Sequence, residues 1–164
     1  LGLSLSENEE GRMKEAKPKL LLLAETYAVC RLEKKAPIPK WGIKGGLSSI
    51  TRTEEELSVV CLEKQIPRAV KKEGGWRVLK VEGPLDFSLT GVLASLTAPL
   101  ASGGISVFAL STYDTDYLLV KEGKLEKAIQ ALREEGFEIK KIRRPVSGVR
   151  SKRIKRRIPR RRPA

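Results

Sequence analysis

Apolar and polar positions divide the chain into two stretches with different periods. Between Leu20 and Lys80 the apolar residues come in short runs, Leu20 to Leu32, Leu47 to Thr53, Leu57 to Leu62 and Trp76 to Val81, each bounded by charge or by turn residues. Runs of this length with β-branched and aromatic content predict strands. Glu33-Lys34-Lys35, Pro37 and Pro39 forbid a helix after the first run, and Glu54-Glu55-Glu56 reads as a solvated turn or the stub of a helix. Gly74-Gly75 reads as a break before the strand that starts at Trp76.

Beyond Val81 the period lengthens. Leu89, Leu93, Leu96 and Leu100 recur at i, i+4, i+7 and i+11, predicting an amphipathic helix over 87–101, distorted by Pro99 in its last turn and stopped by Gly103-Gly104, with all four leucines in the core. Ile105 to Leu110 and Asp116 to Val120 then predict a hairpin around the turn 111–115. Leu125, Ala128, Ile129 and Leu132 mark a second helix that ends at Gly136, and Phe137-Glu138-Ile139 opens a last strand. Starting from Val78 the order is βαββαβ, a ferredoxin-like arrangement in which two helices cover one face of an antiparallel sheet. The fold class expected is therefore α+β, a ferredoxin-like module in the C-terminal half packed on a strand-rich N-terminal half. The organisation expected is a disordered leader over 1–19, an N-terminal half over 20–80, a C-terminal module over 81–142 and a disordered tail over 143–164. Met13, the only methionine, is the expected start of translation.

Charge alters this picture at one end. The chain has 164 residues and a formal charge of +13, from 33 Lys and Arg against 20 Asp and Glu. Thirteen of the basic residues lie between Lys140 and Ala164, where there is no acid, and the other 20 balance the 20 acids of the body. Such a segment cannot pack, and it offers non-specific charge to a polyanion. Arg153, Lys155, Arg156, Arg157, Arg160, Arg161 and Arg162 are thus the candidate contacts of a second reading, an RNA-associated accessory protein. The tail has no aromatic side chain, so base stacking is unavailable to it.

Composition removes several kinds of chemistry. With no histidine, Ser-His and Cys-His nucleophiles and His-ligated metal centres are excluded. Asp86, Asp114 and Asp116 have no cofactor loop, metal set or nucleophile beside them, so the reading is non-catalytic, without cofactor or metal. No apolar stretch approaches the roughly 20 residues of a membrane helix. Cys30 and Cys61 lie in apolar runs, as buried thiols of a cytoplasmic protein do, and their spacing leaves a disulfide between them open.

A free amino acid needs donors for its carboxylate and an acid for its ammonium. A helix starting at Asp86-Phe87-Ser88 would supply backbone N–H groups, and Asp114 and Asp116 at the hairpin would take a cation. Each residue also has a plainer role: Asp86 and Ser88 as helix caps, Asp114-Thr115 as turn composition. Whether Ser106 or Val107 faces a pocket depends on strand register.

The segments 83–94, 104–108 and 110–120, with Trp41, Thr51-Arg52-Thr53 and Glu56 to Cys61 upstream, closely resemble ACT-domain proteins related to the CASTOR cytosolic arginine sensors, of the small two-ACT bacterial type. The resemblance covers roughly residues 20–142. It implies a regulatory protein that binds an amino acid between modules, with a homodimer as the expected assembly. By the same resemblance Ser106, Val107, Thr112 and Asp116 match positions that line the ligand site of the arginine sensors, with Asp86, Phe87 and Ser88 on the loop opposite; Tyr113 and Asp114 of the same turn complete the candidate ligand set. The arginine sensors carry twice as many modules, so the resemblance places the pocket across a dimer or between unlike halves.

Overall fold

The computed structural model describes residues 17–86 and 88–142. The predicted Arg-rich tail, all but the last three residues of the predicted leader, and Phe87 lie outside that range. Strands β1 (Leu20–Leu32), β2 (Ser49–Arg52), β3 (Leu57–Leu62) and β4 (Lys72–Val81) are followed by helix α1 (Val92–Ser102). Strands β5 (Val107–Ser111) and β6 (Asp116–Lys121), helix α2 (Leu125–Glu134) and strand β7 (Ile139–Lys141) complete the chain. The ferredoxin-like βαββαβ order is β4-α1-β5-β6-α2-β7, beside a half built of strands and short 3-10 turns at Lys40–Ile43 and Glu63–Gln65.

All seven strands belong to one sheet, in the order β2-β3-β1-β4-β6-β5, with β7 added on β1. Its centre is the antiparallel pair β1 and β4, which runs from Leu20 opposite Val81 to Cys30 opposite Lys72. The far end of β1, Tyr27 to Leu32, pairs with β3, and its near end, Leu20 to Leu22, pairs in parallel with β7. Each half therefore uses a strand of the other. In a free-standing module the last strand lies beside the first. Here Leu20 to Leu22 occupies that place next to β4, and β7 is displaced one position outward.

Alternation along the strands sorts the side chains into two faces. Leu20, Leu22, Leu79, Val81, Leu118 and Val120 point to the helices and meet Leu96 and Leu100 of α1 and Ala128, Ile129 and Leu132 of α2. Leu23, Tyr27, Trp76, Val78 and Leu119 point the other way and form an apolar strip with Val60 and Leu62. In the N-terminal half Ala28, Cys30, Val59 and Cys61 pack under Trp41 and Ile66. Cys30 and Cys61 are free thiols, both buried. A thiol hydrogen bond with Cys30 first, and then burial, push the Cys61 thiol far above its ordinary pKa.

Within the N-terminal half the structure departs from the local expectation at Gly74-Gly75 and takes the turn alternative at Glu54 to Glu56. Gly74-Gly75 does not break the chain, because the Glu63 carboxylate occupies the space a Gly74 side chain would need and accepts the Gly75 N–H at 2.9 Å. The strand continues through as an irregularity against β1. Glu54 to Glu56 is a turn, in which Thr53 Oγ1 accepts the N–H groups of Glu55 and Glu56 at 3.1 Å each. Among the described residues no helix is long and apolar enough to cross a membrane.

Leu118 is fully buried between the sheet and the helices, whereas Leu89, predicted as core, is 44% exposed. Leu118→Ala is expected to cost about 2–5 kcal/mol in urea unfolding, and Leu89→Ala within about 0.5 kcal/mol of zero. Equal costs would contradict this assignment of the core.

Candidate functional site

The approach to α1 differs from the helix predicted over 87–101. Asp86 Oδ1 accepts the Ser88 N–H at 2.7 Å and the Asp86 carbonyl accepts the Leu89 N–H at 3.0 Å, a tight turn that competes with helix. Gly91 follows with φ of +78°, a left-handed conformation that side-chain-bearing residues rarely adopt, and the helix begins one residue later. Asp86 and Ser88 are therefore not its caps. The N-cap position is held by Gly91, which has no side chain, and no side-chain cap bond forms. The first helical hydrogen bond runs from Ser95 N to Gly91 O at 2.8 Å, which leaves the N–H groups of Val92, Leu93 and Ala94 without an acceptor inside the helix.

The β5–β6 turn stands opposite this helix end. Thr112 N–H and Oγ1 both donate to the Thr115 carbonyl at 2.9 Å, and Thr112 Oγ1 accepts the Thr115 N–H at 3.3 Å. Thr115, 5% exposed, donates its hydroxyl to the Val81 carbonyl at 2.6 Å, and the Asp114 carbonyl accepts the Leu85 N–H at 2.8 Å. Two bonds thus tie the turn to the end of β4 and the chain beyond it. Asp116, opposite Ser111 in the ladder, accepts the Ser111 hydroxyl at 2.5 Å.

Between the helix end and the turn lies a cleft of about 300 Å³, walled by Leu85, Leu89, Val92 and Leu93 on one side and Ser111 to Asp116 on the other. It brings together Asp86, Thr112, Tyr113, Asp114 and Asp116. Ser88 is outside the lining, exposed in the turn. Ser106 precedes β5 and Val107 begins it, opposite Val120, about 13 Å of strand from the Ser111 end. Ser106 is exposed, and Val107 packs toward the helices. Phe87 and the tail residues Arg153 to Arg162 lie outside the described residues.

Three carboxylates, Asp86, Asp114 and Asp116, line the cleft, and its lining includes no lysine or arginine. The Ser88 hydroxyl first, and then the Ser88 N–H, hold Asp86 below the usual carboxylate range, so it is charged at neutral pH. Among the described residues no group of three or more His, Cys, Asp or Glu is placed to hold a metal ion. Chemically the cleft presents negative charge on one wall and unpaired backbone N–H groups on the other. It suits a small molecule carrying a cation at one end and an anion at the other. The role of Gly91 went unread in the sequence, although a glycine directly before an apolar helical period is the signal that marks it.

Comparison with known proteins agrees with the topology. The ACT domain family model matches residues 71–134, and a model of a separate N-terminal domain matches residues 25–69. A protein of Agrobacterium tumefaciens solved by X-ray crystallography is 40% identical, with a TM-score of 0.75, over 79% of this chain and 96% of that one. Bovine (Bos taurus) "Cytosolic arginine sensor for mTORC1 subunit 1" is 35% identical over 102 residues, 56% of this chain and 31% of that protein. The chain thus spans about a third of the length of that curated relative. The regulatory subunit of aspartate kinase from Thermus flavus, at 10% identity and a TM-score of 0.53 over 74% of this chain and 99% of that one, shares the fold.

Two outcomes test the geometry of the cleft. Thr115→Val, which keeps shape but leaves the Val81 carbonyl unpaired, is expected to lower stability by about 1–3 kcal/mol in urea unfolding; no loss would show that the clasp is not formed. An NMR titration is expected to place the Asp86 midpoint below the ordinary value of about 3.9, and Ser88→Ala to raise it. Because the folded pKa is depressed, what this turn adds to stability is present above the unfolded value and disappears as pH falls through the folded one.

Proposed function

This chain belongs to the ACT-domain family, and from that premise we propose that it is a non-catalytic regulatory protein whose cleft between α1 and the β5–β6 turn holds a free amino acid. The observation that carries the reading is the pairing, across one cleft, of an uncapped helix N-terminus with Asp116 and Asp114. The ligand carboxylate meets the N–H groups of Val92 and Leu93, and its cationic end meets Asp116, with Asp114, Asp86, Thr112 and Tyr113 around it. Three acids and no base in the lining favour a ligand whose side chain adds positive charge. The bovine relative is named as an arginine sensor, which makes L-arginine the first ligand to test.

The rim residues Asp86, Leu89, Gly91, Thr112, Tyr113 and Asp114 are all exposed, so a ligand bound to one copy remains open on one side. A second copy closing over the rim gives the interface site and the homodimer expected from the sequence. Regulation then follows from differential affinity: a ligand that prefers the closed pair shifts the population toward it.

Calorimetry of the full chain against the twenty amino acids is expected to show saturable binding of a basic amino acid, weakened at least about tenfold by Asp116→Asn. Sedimentation is expected to show a larger dimer fraction with ligand than without. No heat from any amino acid would overturn the reading, and binding without a change in assembly would remove its interface part.

A further inference from the structure

The opposite face of the sheet carries a second cleft, of about 310 Å³, whose lining shares no residue with the first. It arises where β1 passes from one half to the other. Between Leu22 and Thr26 the register of β1 against β4 shifts, and the Arg77 guanidinium takes up the Leu23 and Ala24 carbonyls at 3.2 and 3.4 Å. Bulges of this kind bend a strand and re-aim its side chains. The floor consists of Leu23, Tyr27 and Leu62, all buried, and the wall of Leu47 and Tyr117. The loop at the rim turns at Gly46, with φ of +63°, where an added Cβ would stand 3.1 Å from the Tyr27 hydroxyl.

Two donors face this apolar hollow. The half-buried Lys80 has its ammonium 5.8 Å above the Tyr117 ring, and it makes no ion pair among the described residues. The Tyr27 hydroxyl accepts the Leu47 N–H at 3.5 Å, and its own proton has no acceptor among the described residues. The one acid of the lining, Glu25, is already neutralised by Lys64 at 2.9 Å. The net character is therefore an apolar pocket with a free cation and a free hydroxyl proton, the reverse of the acidic cleft on the other side.

We propose that this cleft is a second ligand site, taking a small monocarboxylate with a compact apolar body, its carboxylate held by Lys80 and Tyr27 and its body on Leu23, Leu47 and Leu62. The volume is at the lower end of small-molecule sites, about 300–1,000 Å³, which excludes long chains. The site lies at the junction of the two halves, so occupancy fastens the bulge of β1 to the loop at 46–48.

The test is a titration of the ¹⁵N-labelled full chain with 4-methylpentanoate, and in parallel with L-leucine, which has the same body plus an ammonium. The expected result is saturable binding below about 10 mM, with amide shifts at residues 23–25, 46–48, 80 and 117 and not at 111–116. Lys80→Met is expected to weaken it about tenfold or more, and Asp116→Asn to leave it unchanged. Leu47→Trp, which fills the hollow from the rim, gives a second way to abolish binding, and melting temperatures check that each variant folds. Binding of L-leucine as well assigns the natural ligand to the amino acids; binding of 4-methylpentanoate alone assigns it to simple carboxylic acids. Absence of binding by both, or shifts confined to 111–116, overturns the proposal, while the reading of the acidic cleft stands or falls separately on Asp116.

Discussion

The antiparallel pairing of β1 with β4 is the constraint on which the rest of the molecule depends. Each strand is long enough to serve two half-sheets, so neither half has a complete set of strands without the other. The pair also fixes where β4 ends. Val81 is held opposite Leu20, and its carbonyl is the anchor that Thr115 binds from the hairpin turn. From that anchor the chain has ten residues, 82–91, before α1 begins, and the Asp114 carbonyl pins Leu85 within them. The acidic cleft is thus a consequence of strand register carried through two hydrogen bonds.

The two sides of the sheet have opposite electrostatics built from different materials. On the helix side, negative charge comes from side chains and positive charge from backbone, because a glycine at the cap leaves the helix N–H groups open. Fixed dipoles of this kind need no reorganisation when an anion arrives, and a zwitterion placed between the walls is stabilised at both ends. On the other side the positive charge is a single lysine over a tyrosine ring and the surroundings are apolar. A protein with both sites would couple two kinds of metabolite through one sheet, each biasing the same pairing of β1 with β4.

Much of the fold was legible in the sequence because local pattern and tertiary burial agree. The bounds of β1 and β3 coincide with their apolar runs, and Leu125, Ala128, Ile129 and Leu132 of α2 are all buried at the predicted spacing. Leu89 fitted the helical period equally well and misled, since the Asp86 turn and the left-handed Gly91 postpone the helix until Val92. Gly74-Gly75 carried a turn signal that a distant carboxylate, Glu63, converts into continuous strand. Of the candidate ligand residues, those near the hairpin stand together because they are close in sequence, whereas placing Ser106 and Val107 required knowing where β5 begins. The second cleft was invisible to sequence reasoning for a physical reason: residues 23–25, 46–48, 80 and 117 meet only through a bulge and a long-range strand pairing, neither of which has a local motif.

The most direct measurement of the central claim is a crystal structure of the full chain grown with L-arginine. The account predicts the ligand in the cleft beside α1, its carboxylate within hydrogen-bond distance, about 3 Å, of the Val92 or Leu93 N–H and its positive end on Asp116. An empty cleft beside a ligand bound elsewhere, or a ligand lying with its carboxylate toward the aspartates, would contradict it.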